Sequence, residues 1–421
     1  MRSTNALLAA PALVIYWLSF YAGALLSINM ASLPYLAKSF SLGDGQLAKM
    51  LSALAVGGIL ALWGARYSDR LGRRRVLLAC ALLSYPLLLA SALAPSLWVF
   101  IPLQIALGGL LGTIHITTMV AVEEQLPLSF KAKGQAWVGA IFVLGNGAGL
   151  ISVNLAAYFI AEESWRYVWL FFCSAIFLQP LLAKFLSESH EYQQIERHQG
   201  LRGDRWLDLF SGRQRKLTLS LFAALLCWDI AQSAVNSWLI YHPVENLAVA
   251  HEWVTSYLII GGWPALLGFA LGVWLRERLG GYALALSLCC ALSLLGNFVY
   301  FWVKADANGL LAAISSAYVL GLLMANALLV NVRLLINERY PTQMRASMQS
   351  IAVLAMACSS VLSQLAISQL IAPLGGLANA ISALLMLKIL AALIFIALPL
   401  ATEPATGLKT KNAGLITKNN F

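Results

Sequence analysis

Long apolar runs dominate this sequence, and short polar stretches, glycine or proline separate them. A helix needs about 20 apolar residues to cross a hydrocarbon core about 30 Å thick. Most connecting segments are short, so consecutive helices are expected to run antiparallel. The runs predict an all-α membrane protein with twelve transmembrane helices, at 7–34, 47–65, 76–94, 97–122, 134–160, 166–186, 217–241, 253–275, 282–303, 309–335, 346–372 and 376–399.

One connecting segment, residues 187–216, is longer than the others and carries mixed charge. It separates six predicted spans from six more, which indicates a domain boundary. The predicted parts are an N-terminal six-helix bundle (1–186), a cytoplasmic linker (187–216), a C-terminal six-helix bundle (217–400) and a cytoplasmic tail (401–421).

The composition supports a membrane protein. Of 421 residues, 60% are hydrophobic and 11% are charged, whereas soluble domains carry about 25% charged residues. This excludes a soluble enzyme, a nucleic-acid binder and a disordered chain. The six cysteines lie in apolar runs without metal-finger spacing, so we predict neither a metal site nor a cofactor. No small-residue cleavage site follows the first apolar run, which we interpret as a retained first span.

Positive charge is distributed unevenly among the predicted loops. With both termini in the cytoplasm, the inward segments hold 23 Lys and Arg residues. The outward loops then hold four: Lys38, Lys49, Arg166 and Lys304. Because cytoplasmic loops are enriched in Lys and Arg, this bias predicts cytoplasmic termini. It also explains the net charge of +10 through contact with anionic lipid, without nucleic acid.

Two sequence motifs occur once in each half. Asp69-Arg70-Leu71-Gly72 follows the second span, and Glu277-Arg278-Leu279-Gly280 follows the eighth, 208 residues later. Glu124-x-x-Pro127 follows the fourth span, and Glu338-x-x-Pro341 follows the tenth. The halves are therefore predicted to be parallel repeats. In transporters of this construction, the substrate site lies between the halves near the membrane midplane.

These motifs resemble the signatures of the major facilitator superfamily. The stretch from Gly64 to Arg75, with its Asp-Arg-Leu-Gly-Arg-Arg core, is similar to the family's loop between the second and third helices. The likeness covers about residues 7–400. It implies two six-helix bundles, alternating access, and a central cavity lined by spans one, four, seven and ten. Ser233 and Asn236 also resemble part of the seventh-helix pattern of proton-coupled sugar porters.

The resemblance further implies a cytoplasmic gate, in which loop charges pair with the ends of neighbouring helices when that side is closed. Such pairs bias the equilibrium between two conformations. The matching residues are Asp69, Arg70, Gly72, Arg73, Arg74 and Glu124 in the first half, and Glu277, Arg278, Glu338 and Arg345 in the second.

Three ionisable residues lie deep inside predicted spans: His115, Asp229 and Lys388. Ionisable groups are costly there and mark functional sites. Gln232, Ser233 and Asn236 follow Asp229 at i+3, i+4 and i+7, so all four share one helix face. We expect this face to bind substrate or a proton. The alternative is a permanently ionised Asp229 paired with a lysine or arginine.

Further candidates lie on the other cavity-lining spans. Gln104 and His115 share a face of span four, and His115 is either a titrating group or a residue bonded to a neighbouring helix. Asn29 lies in span one, and Tyr318 and Asn326 lie in span ten. For Lys388, in the last span, we expect a structural pair or a side chain that extends sideways.

These observations predict a secondary active transporter that moves a small polar metabolite across the inner (plasma) membrane by proton-coupled uptake. Proton-driven efflux of a drug or metabolite is the alternative. A polytopic enzyme would need a nucleophile–base pair or metal cluster, a channel would need a filter or charged ring, and neither is evident. The expected partners are the substrate, the proton and the lipid bilayer, and the expected state is a monomer.

Overall fold

A computed structural model describes residues 9–127, 131–160, 164–188, 215–304, 309–340 and 342–398. All regular secondary structure in these ranges is helical. Twelve helical segments of the described chain are long and apolar enough to cross a membrane. The predicted all-α, twelve-span fold is therefore confirmed, with helix ends that differ from the predicted bounds by a few residues.

Fifteen α-helices build these spans. They are α1 (Ala10–Ala31), α2 (Leu33–Ser39), α3 (Asp44–Leu71), α4 (Arg73–Ala92), α5 (Leu97–Gln125), α6 (Lys131–Ile160), α7 (Ser164–Cys173), α8 (Gln179–Phe185), α9 (Arg215–Trp238), α10 (His251–Arg278), α11 (Tyr282–Trp302), α12 (Leu310–Arg339), α13 (Thr342–Leu374), α14 (Leu377–Leu385) and α15 (Leu387–Ile396). A 3₁₀ segment, Ser174–Leu178, joins α7 to α8 within the sixth span, and a turn at Met386 joins α14 to α15 within the twelfth.

Glycine ends the helix that precedes each repeated motif. Gly72 separates α3 from α4 with φ of 93°, and Gly280 follows α10 with φ of 70°. A positive φ of this size is costly for a residue with a Cβ atom, so glycine suits both turns. Each motif thus ends at a glycine with positive φ, with one residue between the helices in the first half and three in the second.

Small residues allow the helices to pack closely. A Cβ atom at Gly145 of α6 would lie 2.2 Å from the Phe20 carbonyl oxygen of α1. In the second half, a Cβ atom at Gly272 of α10 would lie 2.5 Å from the Ala327 carbonyl oxygen of α12. Membrane helices without a hydrophobic driving force associate through such close backbone contacts.

Helices of the two halves pack against each other across the boundary between the halves. The end of the bundle at which α3 stops and α4 starts is called the Arg73 end, and the end at which α10 starts is called the His251 end. Helix α3 packs against α13, and α6 against α10, across the boundary between the halves. The Ser52 hydroxyl of α3, for example, donates to the Val361 carbonyl oxygen of α13 at 3.1 Å.

Candidate functional site

Arg73 and Glu124 form an ion pair at the Arg73 end. Arg73 Nη2 lies 2.9 Å from Glu124 Oε1, and the two side chains are only 11% and 13% exposed. Arg73 Nη1 also donates to the Ser68 carbonyl oxygen at 2.8 Å. The pair therefore ties the start of α4 to the end of α5, both in the first half.

Glu188, which follows the sixth span, completes this cluster. Its carboxylate accepts the backbone N–H of Arg73 at 2.9 Å and that of Arg74. A carboxylate at the N-terminus of α4 satisfies free backbone donors and interacts favourably with the helix dipole. The Arg74 guanidinium donates in return to the carbonyl oxygens of Leu186 and Ala183, at 2.7 and 2.8 Å. Sequence analysis placed Arg74 in a gate but did not include Glu188.

In the second half, Arg276 forms the ion pair rather than Arg278 of the predicted gate. Arg276 Nη1 lies 2.6 Å from Glu338 Oε1 and 2.6 Å from the Tyr282 hydroxyl. Glu277 and Arg278 of the predicted gate are exposed. Two positions along a helix differ by about 200° around its axis, so Arg276 and Arg278 point to opposite sides. The motif predicted Arg278 as the gate arginine, but the orientation of the helix places Arg276 in contact with Glu338.

Three further gate residues are located through their backbones. Asp69 and Arg70 lie in the last turn of α3, where Arg70 is exposed, and Arg345 lies in the first turn of α13. The side chains of Asp69 and Arg345 lie outside the described part of the structure.

At the His251 end, polar contacts connect the two halves directly. The Tyr241 hydroxyl donates to Asp44 Oδ1 at 2.8 Å, and Lys38 Nζ lies 3.3 Å from Glu245 Oε1. Burial, together with the hydrogen bond to Asp44, raises the pKa of Tyr241 well above its usual range, so this phenol stays protonated. These contacts close the His251 end.

His251 lies at the centre of this closed end. Its Nε2 bonds to the Ala31 carbonyl oxygen of the first half at 3.0 Å, and its Nδ1 contacts the Asn154 amide of α6. Asn154 also contacts the Thr255 hydroxyl, and the Tyr35 ring packs 5.2 Å from the imidazole, measured between centroids. Sequence analysis missed this network because its members lie near span ends, where periodicity carries no signal of partners.

Asp229 and its helix face lie in the second half. Asp229 is 8% exposed, and its Oδ2 atom has no hydrogen-bond partner among the described residues. Gln232 Nε2 donates to Asn236 Oδ1 at 3.0 Å, and Gln232 Oε1 accepts from Lys388 Nζ at 2.8 Å. The predicted helix face therefore exists, and its Gln232 side chain points toward α15 of the same half. Ser233 instead contacts α13, because its carbonyl oxygen accepts a hydrogen bond from Gln364.

Lys388 of α15 is fully buried within this cluster. Its Nζ donates to Ser293 Oγ of α11 at 2.8 Å and lies 4.4 Å from the centroid of the Trp228 ring. Trp228 and Gln232 flank Asp229 in α9, so Lys388 contacts residues on both sides of Asp229 along that helix. Lys388 thus points into the second half, where neutral acceptors and an aromatic face hold its ammonium group.

The remaining predicted residues form separate groups. Asn29 donates to the buried Gln104 at 3.0 Å, which joins α1 to α5. His115 packs against Phe142 with ring centroids 4.0 Å apart. In α12, Tyr318 and Asn326 donate to backbone carbonyl oxygens of α10, at 3.4 and 2.9 Å. The structure therefore does not bring all predicted binding residues into one contiguous site.

Comparisons with known proteins identify sequence and fold relatives. A sequence model of the Major Facilitator Superfamily matches residues 13–364. Organic anion transporter 3 of Mus musculus is 30% identical over 154 residues, which cover 35% of this chain and 27% of that protein. The D-xylose transporter of Levilactobacillus brevis is 28% identical over 138 residues, 32% of this chain and 29% of that protein. The chain thus matches less than a third of the length of these two relatives.

A third relative matches over a longer segment. Multidrug resistance protein MdtG of Citrobacter koseri (strain ATCC BAA-895 / CDC 4225-83 / SGSC4696) is 26% identical over 282 residues, 64% of this chain and 67% of that protein. Among solved structures, a bacterial homolog of the human lysosomal transporter Spinster, inward-facing and occupied, has a TM-score of 0.72 at 12% identity and covers 91% of this chain and 95% of its own. The partially occluded, inward open xylose transporter XylE from E. coli has a TM-score of 0.68 at 17% identity, with 94% and 98% coverage. At these identities the structures show the shared fold.

Proposed function

Because this chain belongs to the Major Facilitator Superfamily, it is a multi-pass membrane transporter rather than an enzyme, and we propose that it takes up a small polar metabolite together with protons. The Asp229 carboxylate carries this proposal. It is the described acid that lies deepest inside a span, and one of its oxygens has no partner among the described residues. A carboxylate removed from water and left partly unpaired favours its protonated form more than an exposed one does, so it suits reversible proton binding.

Asp229 suits proton transfer better than substrate contact. It is nearly inaccessible, and the neighbouring Gln232 is engaged by Lys388 and Asn236. We assign substrate contact to groups that keep exposed or unpaired polar atoms, namely Asn236, His115 and the Asn29–Gln104 pair. Ser233, Tyr318 and Asn326 are weaker candidates for substrate contact. The Tyr318 and Asn326 side chains donate to backbone carbonyl oxygens of α10, and Ser233 is bonded to Gln364 of α13 through its carbonyl oxygen.

The contacts at the His251 end support alternating access. With the Arg73 end in the cytoplasm, as the positive-inside bias predicts, the conformation is closed toward the outside. Two of the fold neighbours are described as inward-facing and as inward open. We further propose that the chain works as a monomer in which bundles 1–186 and 217–400 move relative to each other around linker 187–216.

Efflux is the second candidate, and the match to multidrug resistance protein MdtG favours it. A protonatable Asp229 serves either direction, because a proton gradient drives symport and antiport alike. The two functions differ in whether substrate and proton move in the same direction.

Proton movement in proteoliposomes tests the proposal. Vesicles that contain the purified protein and a trapped pH-sensitive dye are exposed in turn to D-xylose, other sugars, amino acids and organic acids. An uptake symporter acidifies the lumen when its substrate is added outside, whereas an antiporter makes the lumen more alkaline. The result also identifies the substrate class.

Asp229→Asn is the decisive variant. We expect it to abolish proton movement and accumulation against a gradient, while exchange of substrate at equal pH persists. Ser359→Ala, which removes a hydroxyl bonded to the Leu226 carbonyl oxygen of α9, serves as the matched control within the second half and should retain proton coupling. An Asp229→Asn protein that accumulates substrate as the wild type does would refute the assignment.

A further inference from the structure

A fully buried lysine joins three helices of the second half. Lys388 of α15 bonds to Gln232 of α9 and Ser293 of α11, and its ammonium group also lies over the Trp228 ring. Trp228 and Gln232 flank Asp229 in α9, which places Lys388 close to the Asp229 position. We propose that Lys388 is a positioning residue for the proton on Asp229, supplying the counter-charge that makes proton binding there reversible. This inference rests on the proposed function.

The internal repeat offers a direct comparison for this junction. Ser84 and Ser293 are 209 residues apart, and so are Gln179 and Lys388. Gln179 follows the 3₁₀ segment of the sixth span, just as Lys388 follows the turn at Met386 in the twelfth. The two positions therefore occupy the same place in their halves.

In the first half this junction is neutral. The Tyr85 hydroxyl donates to Gln179 Oε1 at 3.3 Å, and Gln179 Nε2 donates to the Leu78 carbonyl oxygen at 2.9 Å. Tyr21, which is 208 residues before Asp229, bonds to Ser84 at 2.9 Å. Neutral hydrogen bonds thus suffice to hold three helices together here. A lysine and an aspartate at the same junction introduce two ionisable groups that packing does not require.

The arrangement of the pair suits a site that exchanges a proton. The ammonium group is held by neutral oxygens and the Trp228 ring, while Asp229 Oδ2 has no hydrogen-bond partner among the described residues. Lys388 therefore favours the ionised carboxylate without occupying this oxygen, which stays open to a proton. The other titratable group that acts on the cluster is the Cys290 thiol of α11, and α13 contributes the uncharged Ser359 and Gln364 to α9.

A tight turn lies directly beside Lys388. The Met386 N–H bonds to the Ala383 carbonyl oxygen, and the Ile389 N–H bonds to that of Met386. Bonds with this i to i+3 spacing within a helix commonly mark hinges. A change of charge on Asp229 thus acts on a lysine next to the point where the twelfth span departs from α-helical geometry.

Infrared difference spectroscopy of the purified, lipid-reconstituted protein tests this proposal without a known substrate. A protonated buried carboxyl group gives a band distinct from that of carboxylate, and its intensity is followed against pH. We expect Asp229→Asn to remove one titrating band. We expect Lys388→Gln to keep the band and to move its midpoint at least about one pH unit higher, a tenfold gain in proton affinity, since the opposing positive charge is gone.

Gln179→Leu is the matched control, because it disturbs the equivalent junction of the first half and should leave the midpoint unchanged. A Lys388→Gln midpoint within about 0.3 units of wild type would overturn the proposal, since glutamine keeps the hydrogen bonds and removes only the charge.

Folding yield gives a second test in case Lys388→Gln folds poorly. The double variant Asp229→Asn/Lys388→Gln makes the junction neutral, as in the first half, and should recover yield relative to Lys388→Gln alone. A double variant that folds no better would count against an electrostatic role. The proposed function fails separately: it is refuted if Asp229→Asn still accumulates substrate, whatever the infrared midpoints.

Discussion

Substitution of glycine by alanine is expected to have opposite effects on stability at two positions of one helix. Gly145 and Gly147 lie two positions apart in α6. A Cβ atom at Gly145 would lie 2.2 Å from the Phe20 carbonyl oxygen, whereas a Cβ atom at Gly147 meets nothing within 4 Å. Gly145→Ala therefore drives a methyl group into α1, and Gly147→Ala places the same group in open space.

The expected magnitudes follow from helix propensity and packing. Alanine is favoured over glycine in a helix interior by about 1 kcal/mol, so Gly147→Ala should stabilise by up to that amount. Gly145→Ala gains the same term but brings carbon and oxygen about 1 Å closer than the 3.3 Å of even a close C···O contact. The backbone of α1 must then shift, and overpacking of this kind costs about 1–3 kcal/mol or more. Because the propensity gain is common to both variants, we expect them to differ by the overpacking cost, about 1–3 kcal/mol or more.

Thermal unfolding of the detergent-solubilised protein measures this difference. Because such proteins often unfold irreversibly, the variants are compared at one heating rate and by their half-lives at one temperature. Gly145→Ala should unfold at lower temperature and inactivate faster than wild type, and Gly147→Ala should match or exceed wild type. Equal midpoints for the two variants, or the reverse order, would refute the packing of α1 against α6.

Three other perturbations address the gates and pH. His251→Ala breaks contacts with the backbone of Ala31 and with Asn154, which together contribute about 2 kcal/mol. This loss should raise the population of the open His251 end about 30-fold, and faster hydrogen exchange in residues 31–44 would measure it. Glu124→Gln removes the carboxylate that pairs with the poorly exposed Arg73 guanidinium and should lower thermal stability by about 2 kcal/mol. Burial lowers the pKa of His242 to about 4. Only the unfolded state then binds the proton between pH about 6.5 and 4, so stability falls by up to about 3 kcal/mol as pH drops through this window, and His242→Asn should reduce that loss.

The His251 and Glu124 predictions each have a control variant within the same protein. Lys38→Met removes an ion pair whose side chains are 55% and 28% exposed, so it should change exchange by much less than His251→Ala. Glu338→Gln removes a carboxylate that is 52% exposed and should cost less than Glu124→Gln. Equal effects within either pair would contradict the burial argument. For His242, identical stability–pH profiles of wild type and variant would do so.

Sequence reasoning went furthest where the signal is local. The length and composition of the apolar runs predicted all twelve spans, since each helix satisfies its own backbone hydrogen bonds in lipid. The repeated motifs predicted the family, and Gly72 and Gly280 both adopt a positive φ. The ion pair of Arg73 with Glu124 also joins two residues of the predicted gate.

The sequence predicted less about residues whose hydrogen-bond or ion-pair partners lie on different helices. Helical periodicity placed Asp229, Gln232 and Asn236 on one face, but it did not tell that Gln232 would turn toward Lys388, 156 residues away. It named Arg278 as the gate arginine near the end of the eighth span, whereas Arg276 is the one that contacts Glu338. It gave no sign that His251 would bond across the two halves.

The sequence by itself determined the number of spans, and it predicted the division into two similar halves and the short set of ionisable groups inside the bilayer. These properties depend on the spacing of residues along one helix and on the cost of placing charge in lipid. The tertiary structure decided which end is closed, which charges pair and which helix Lys388 faces. Such pairings depend on helix rotation and on contacts between distant segments, and several rotations satisfy the same apolar pattern equally well.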